Sequence, residues 1–146
     1  GFQRRRQAKR PVGFLDQDQG DAGCQGANRV ENLDGWAVVI AVADAGGHPI
    51  LVARLDGTQS SSVDTAIGKA RAAVAFKRPT RLLEEMVNAG RTAFLSVPGS
   101  HCVMQGGLPV VIEGQVAGAV GVSGVKASDD EIVAQAGVDA ILAAIA

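Results

Sequence analysis

Two histidines, two cysteines and a few charged residues set among glycine turns carry what chemistry this sequence can do. His101 stands in Ser100-His-Cys-Val-Met104, which gathers imidazole, thiol and thioether in one short segment. His48 ends the turn Asp44-Ala-Gly-Gly-His48. Lys69 follows the serines at 60–62, with Arg54 and Asp56 upstream. A lysine at this place can meet Asp56, Asp64 or the carboxylate of a ligand, and Arg54 can clamp a carboxylate through two parallel hydrogen bonds.

Several familiar chemistries do not fit. Two histidines and two cysteines so far apart match no zinc spacing. Gly118, Gly121 and Gly124 fall along a strand and its exit, with no helix opening at the first turn, so they are not a dinucleotide loop. Ser123 in Gly-Val-Ser-Gly lacks the Gly-x-Ser-x-Gly frame of a nucleophile elbow. Cys102 and His101 are adjacent, and neighbouring side chains in an extended segment point opposite ways, which makes a poor nucleophile and base pair. No catalytic residue is assigned.

The elements that must hold these residues are legible from Trp36 onward. Trp36 to Ala43 is a β-branched run of the kind buried on both faces of a sheet. Asp44-Ala-Gly-Gly47 turns it into a second strand, His48 to Leu55, with Pro49 at the entry. Serines 60–62 offer N-caps to a helix carrying Val63, Ala66, Ile67, Ala70 and Val74 at helical spacing, which Pro79 stops. A second helix runs from Thr80 to Asn88 and ends at Gly90. Residues 91–107 are irregular, a long connection of the kind that in small domains tends to serve function. A second hairpin follows, Leu108 to Ile112 and Val116 to Val122 about the turn Glu113-Gly-Gln115. Ser128-Asp-Asp-Glu131 reads as a capping box opening a final helix.

The 146 residues are enough for one domain and carry a net charge of −1. That balance gives no general attraction to nucleic acid or anionic lipid, and the basic run Arg4, Arg5, Arg6, Lys9, Arg10 lacks aromatic stacking partners. Neither a nucleic-acid nor a membrane partner is expected. No apolar run is long enough to cross a bilayer, and two cysteines do not make a disulfide framework, so a cytoplasmic protein is expected. The core draws mostly on Ala and Val, with one Trp, four Phe and no Tyr, which suits helices laid closely on a thin sheet. Residues 1–30 differ in style, rich in Gly, Gln, Asp and Arg without periodicity. They read as an irregular tail before a domain at 31–146, or as a stretch translated one base out of frame. Shifting by one base allows a Ser-capped, helically patterned text that joins Ala27.

The order of motifs resembles the GlcG/HbpS family and the C-terminal domain of PduO proteins. The matching pieces are Val42-Ala-Asp-Ala-Gly-Gly-His48, Arg54-Leu-Asp-Gly57, Ala66-Ile-Gly-Lys-Ala70, Gly106-Gly-Leu-Pro109 and Gly118-Ala-Val-Gly-Val-Ser-Gly124. The resemblance covers residues 36–146. It implies an α/β (α+β) fold: a profilin-like three-layer α/β/α sandwich with a mainly antiparallel five-stranded sheet and a helix before the first strand. It also implies homo-oligomers, an octamer among the candidates, that enclose a small ligand in shared pockets, and a binding role rather than a catalytic one. Haem is the cofactor it names. Imidazole, thiolate and thioether are all axial haem ligands, which makes His101 and His48 the candidate iron ligands. Without a Cys-x-x-Cys-His signature, that haem is non-covalent. The expected ligand-binding set is His48, Arg54, Asp56, Lys69, His101, Gly106, Gly107 and Ser123. The alternative is an enzyme or accessory factor of a catabolic pathway acting on a small hydroxy or keto acid, with Lys69 and Asp56 as acid and base and Arg54 as anchor.

Overall fold

A computed structural model describes residues 15–146. The basic run at 4–10 therefore lies outside the described residues.

The first helix, α1 (Gln17–Asp34), forms where the residues alone read as an irregular segment and the family resemblance implied a helix. Its start is a capping box. Asp16 Oδ1 accepts the Asp18 N–H at 2.9 Å, and Gln19 Oε1 accepts the Asp16 N–H at 2.9 Å. The helix has few apolar residues, and its glycines take their place by letting it approach its neighbours. A Cβ on Gly26 would fall 2.4 Å from the Ala140 Cβ, and one on Gly23 would fall 2.8 Å from Ile141 Cδ1. Contact with the rest of the fold thus overrides weak local propensity.

Strand β1 (Val39–Asp44) and strand β2 (Pro49–Arg54) form the first hairpin; β3 (Gly107–Ile112) and β4 (Gln115–Ser123) form the second. The second hairpin turns through Glu113 (φ 51°) and Gly114 (φ 77°), the paired positive angles of a type I′ turn. The two hairpins join along β1 and β4, so the sheet runs β2-β1-β4-β3 and is antiparallel throughout. It has four strands, not the expected five. Residues 89–106, before the second hairpin, wind through a 3-10 turn and an irregular loop and add no strand.

Between the hairpins stand α2 (Ser61–Phe76), α3 (Thr80–Asn88) and the 3-10 turn Thr92–Ser96; α4 (Ala127–Ile145) closes the chain. Ser60 makes no side-chain cap bond, and neither does the residue before α4. The second point corrects the capping box expected at 128–131. Helix α4 starts at Ala127, which leaves Ser128 inside its first turn and Glu131 free to pair elsewhere. Gly90 ends α3 as expected: its N–H bonds Val87 O at 3.0 Å, and the Arg91 N–H bonds Met86 O at 3.1 Å.

The period of two in β1 assigns its faces. Val38, Ile40 and Val42 join Val120 and Val122 of β4 against α1 and α4, through Cys24, Ala27, Val133, Val138 and Ile141. Val39, Ala41 and Ala43 face α2 through Ala66, Ala70 and Ala73. Helices thus cover both faces of the sheet. On the α2 side the contact is close because Gly121 has no side chain: a Cβ there would lie 2.1 Å from Ala66 O. No described helix is long and apolar enough to cross a membrane.

Candidate functional site

The alanine face of α2 lies flat on the sheet, and Lys69, beside Ala70 on that helix, is carried into the gap between the 106–107 loop and the exit of β4. Its side chain is 1% exposed. The Nζ donates to Val122 O at 2.9 Å and to Asp130 Oδ2 at 3.1 Å. The other oxygen of Asp130 accepts the Val125 N–H at 3.1 Å, tying the β4 exit to the first turn of α4. Burial lifts the Asp130 carboxyl above the ordinary aspartate range, with Lys69 and the Val125 N–H opposing it to a smaller extent.

Gly106 and Gly107 close over this pair. A Cβ on Gly106 would fall 2.8 Å from Lys69 Nζ, and one on Gly107 would fall 2.4 Å from Lys69 O. Gly106 O accepts the Val122 N–H at 3.0 Å, and buried Thr80 accepts the Gly107 N–H at 2.9 Å. The structure therefore brings Lys69, Gly106, Gly107 and Ser123 together. The partner of Lys69 is Asp130, not Asp56 or Asp64, and its ammonium has no open side from which to reach a ligand.

The other expected residues are dispersed. Arg54 and Asp56 are exposed. Both Arg54 and Ser123 pair with Val39, from opposite sides, so Arg54 stands two strands from Ser123, about 10 Å at the usual strand spacing. His48 is exposed at the other end of β1, beyond Asp44, whose Oδ1 accepts the Gly46 and His48 N–H groups at 2.9 and 3.0 Å. That places it roughly 16 Å along the strand from the Val39 end.

His101 is exposed on the long loop, and the loop is held firmly. Its first part packs Phe94 against Phe76 of α2, the rings tilted 53° with centroids 4.9 Å apart. Its middle lies on the α2 backbone at Gly68, where a Cβ would come within 3.0 Å of the Cys102 Cβ and 3.3 Å of His101 O. Its end is pinned by Glu84, which accepts the Gln105 N–H at 2.8 Å, and by Glu131, which accepts from Gln105 Nε2 at 3.1 Å. On the same segment, Leu95, Val97 and Met104 remain exposed at 54%, 38% and 48%. The segment is a fixed shelf that carries one exposed imidazole and these three exposed apolar side chains.

Asp130, Thr80, Gly68, Leu95 and Val97 were not among the functional residues expected, whereas Met104 was read with His101 and Cys102. Asp130 was legible only as a helix-start acid, because its partner is 61 residues away. Gly68 left a signal, since a glycine inside a helix pattern marks close approach. Cys24 is buried in α1, and burial followed by the nearby Asp21 pushes its thiol up to about 11, so it stays unreactive. Among the described residues no group of three or more His, Cys, Asp or Glu side chains could hold a metal ion.

Comparison with known proteins gives the family and the fold. The family model described as "Haem degrading protein HbpS-like" matches residues 16–139. The chain belongs to the HbpS-like family. It is 41% identical over 110 residues to protein GlcG of Escherichia coli K12, covering 75% of this chain and 81% of that protein. The fold of this HbpS-like chain is similar to that of Klebsiella pneumoniae protein ORFY, with a TM-score of 0.85 at 28% identity over 98% of this chain and 99% of that one. It is also similar to PduOC in complex with haem, with a TM-score of 0.77 at 25% identity over 87% and 94% of the two chains.

Proposed function

We propose that this protein binds haem non-covalently as a small-ligand accessory protein, with His101 as the axial ligand on the shelf formed by residues 92–104. The observation that carries the reading is an exposed imidazole on a pinned segment whose large apolar side chains Leu95, Val97 and Met104 are exposed as well. The donor chemistry and the apolar surface fit a tetrapyrrole, and the haem-bound relative supports the choice of ligand. Bound haem would supply redox-active iron, while the chain's residues bind and orient it. Lys69, Gly106, Gly107 and Ser123 act by fixing the end of the shelf, not by touching the ligand. His48 is the second candidate ligand, and Arg54 and Asp56 are surface groups that a neighbouring copy can use.

The shelf covers only one face of a flat ligand, so the reading includes a homo-oligomer in which a second copy closes the site, with an octamer as the candidate size. It also takes the layered fold as profilin-like and the protein as cytoplasmic, where unpaired Cys24 and Cys102 remain reduced. The alternative on small hydroxy or keto acids needs Lys69 as acid or base, and that ammonium is buried on Asp130.

Titration with haemin tests the reading. A shifted Soret band that saturates at one haem per site and is lost in His101→Ala, but kept in His48→Ala, is expected. Loss only in His48→Ala moves the ligand to the β1–β2 turn. No saturable band in the unaltered protein overturns haem binding altogether.

A further inference from the structure

A cleft of about 540 Å³ lies at the end of α2, lined by Ala45, Val74, Lys77, Val111, Gly114, Gln115 and Val116. None of the residues assigned to haem lines it. The shelf packs on Ala75 and Phe76, through Gly99 and Phe94, whereas Val74 and Lys77 belong to the cleft. Its volume is in the range of small-molecule sites.

Three valines and one alanine make its apolar walls, and Val111 is 46% exposed although it lies in a strand. The single charged residue lining it is Lys77. In contrast to Lys69, Lys77 forms no ion pair among the described residues. It also occupies the C-cap of α2 in a left-handed conformation, φ 54° and ψ 40°, which glycine would hold without strain. A lysine kept where the backbone favours glycine, unpaired and at the edge of an apolar cleft, is chemically suited to a ligand with an anionic head and an apolar body. Gln115 adds a side-chain amide able to donate to the same head group.

We infer that this cleft binds short apolar monocarboxylates, with the carboxylate on Lys77 and Gln115 and the hydrocarbon between Val74, Val111 and Val116. The inference is independent of haem binding, since it shares no residue with that site.

The test uses 4-methylpentanoate and its uncharged counterpart 4-methylpentanol, followed by amide chemical-shift titration of the full chain. Saturable shifts centred on residues 74–77 and 111–116 are expected for the acid, with at least tenfold weaker binding of the alcohol. Lys77→Gly provides the decisive variant, because it relieves the left-handed backbone and so keeps the fold while removing the ammonium. It is expected to retain or gain thermal stability and to bind the acid at least tenfold more weakly. Equal affinity for acid and alcohol, equal affinity in Lys77→Gly, or shifts centred elsewhere would overturn the assignment. Concentration-dependent shifts at the same amides without any ligand would overturn it too, giving the cleft to a contact between copies.

Discussion

At the scale of single residues, the pair Lys69–Asp130 fixes most. Removing one member of a buried ion pair leaves the other charge without compensation, at a loss of about 3–5 kcal/mol. Lys69→Met is therefore expected to lose that much in urea unfolding. The double variant Lys69→Met/Asp130→Leu should recover most of it, short only of the Val125 N–H bond, worth about 1 kcal/mol. If the double variant is as unstable as the single one, the pair is not the source. Asp130 also gives a pH signature. Its folded pKa is raised above the unfolded value by burial, so between the two values the native state holds more protons than the unfolded chain. Its contribution to stability accordingly falls as pH rises through that window and is regained as pH falls below it. Comparing melting temperatures of the protein and Asp130→Asn from pH 7 downward, the difference should move in favour of the unaltered protein. A flat difference would show that Lys69 and the Val125 N–H fully offset the burial.

At the scale of elements, the layer of α2 on the sheet depends on absent side chains. A methyl at Gly121 would meet the α2 backbone at Ala66 O and Ala70 N, neither of which can yield without moving the helix. Overpacking of this sort costs typically ~1–3 kcal/mol, and more when backbone must shift. Gly121→Ala is thus expected to lose more than about 3 kcal/mol in urea unfolding. Gly57→Ala, in a turn at φ 85° with open space around it, should lose only about 1 kcal/mol of backbone strain. Equal losses would mean that the contact with α2 is looser than the geometry indicates. These elements also divide into those the sequence disclosed and those it hid. The hairpins, α2 and α3 were legible because strand alternation, Gly turns and Pro79 are local signals. Helix α1 was not, since Gly20, Gly23 and Gly26 give no periodic apolar stripe and gain meaning only against Ile50, Ile141 and Ala140. Its capping box was visible in principle as Asp-x-x-Gln. In the candidate site, the Gly106-Gly107 turn was readable, whereas its reason, the lysine beneath it, lay in contacts between residues far apart in the chain.

At the scale of the whole molecule, the question is what covers the apolar side chains that one copy leaves open. Leu82, Met104 and Ile132 are exposed at 37%, 48% and 53%. Each adjoins a member of one polar network: Arg81 lies 3.6 Å from Glu131, and Glu131 accepts from Gln105 at 3.1 Å. The network thus joins the chain segments that carry the three, and Met104 also belongs to the shelf that carries His101. Three large apolar side chains exposed on segments joined by one polar network suit contact between copies. Charges placed there should act on assembly and leave the fold intact, because none of the three belongs to the buried core. Met104→Glu/Ile132→Glu is expected to keep its melting transition within a few degrees while its mass in sedimentation falls to that of one chain. If a second copy closes the haem site, the same variant should bind haemin at least tenfold more weakly although His101 is untouched. A dissociated variant with unchanged haemin affinity would confine the site to one copy, and an undissociated one would place the contact on another face.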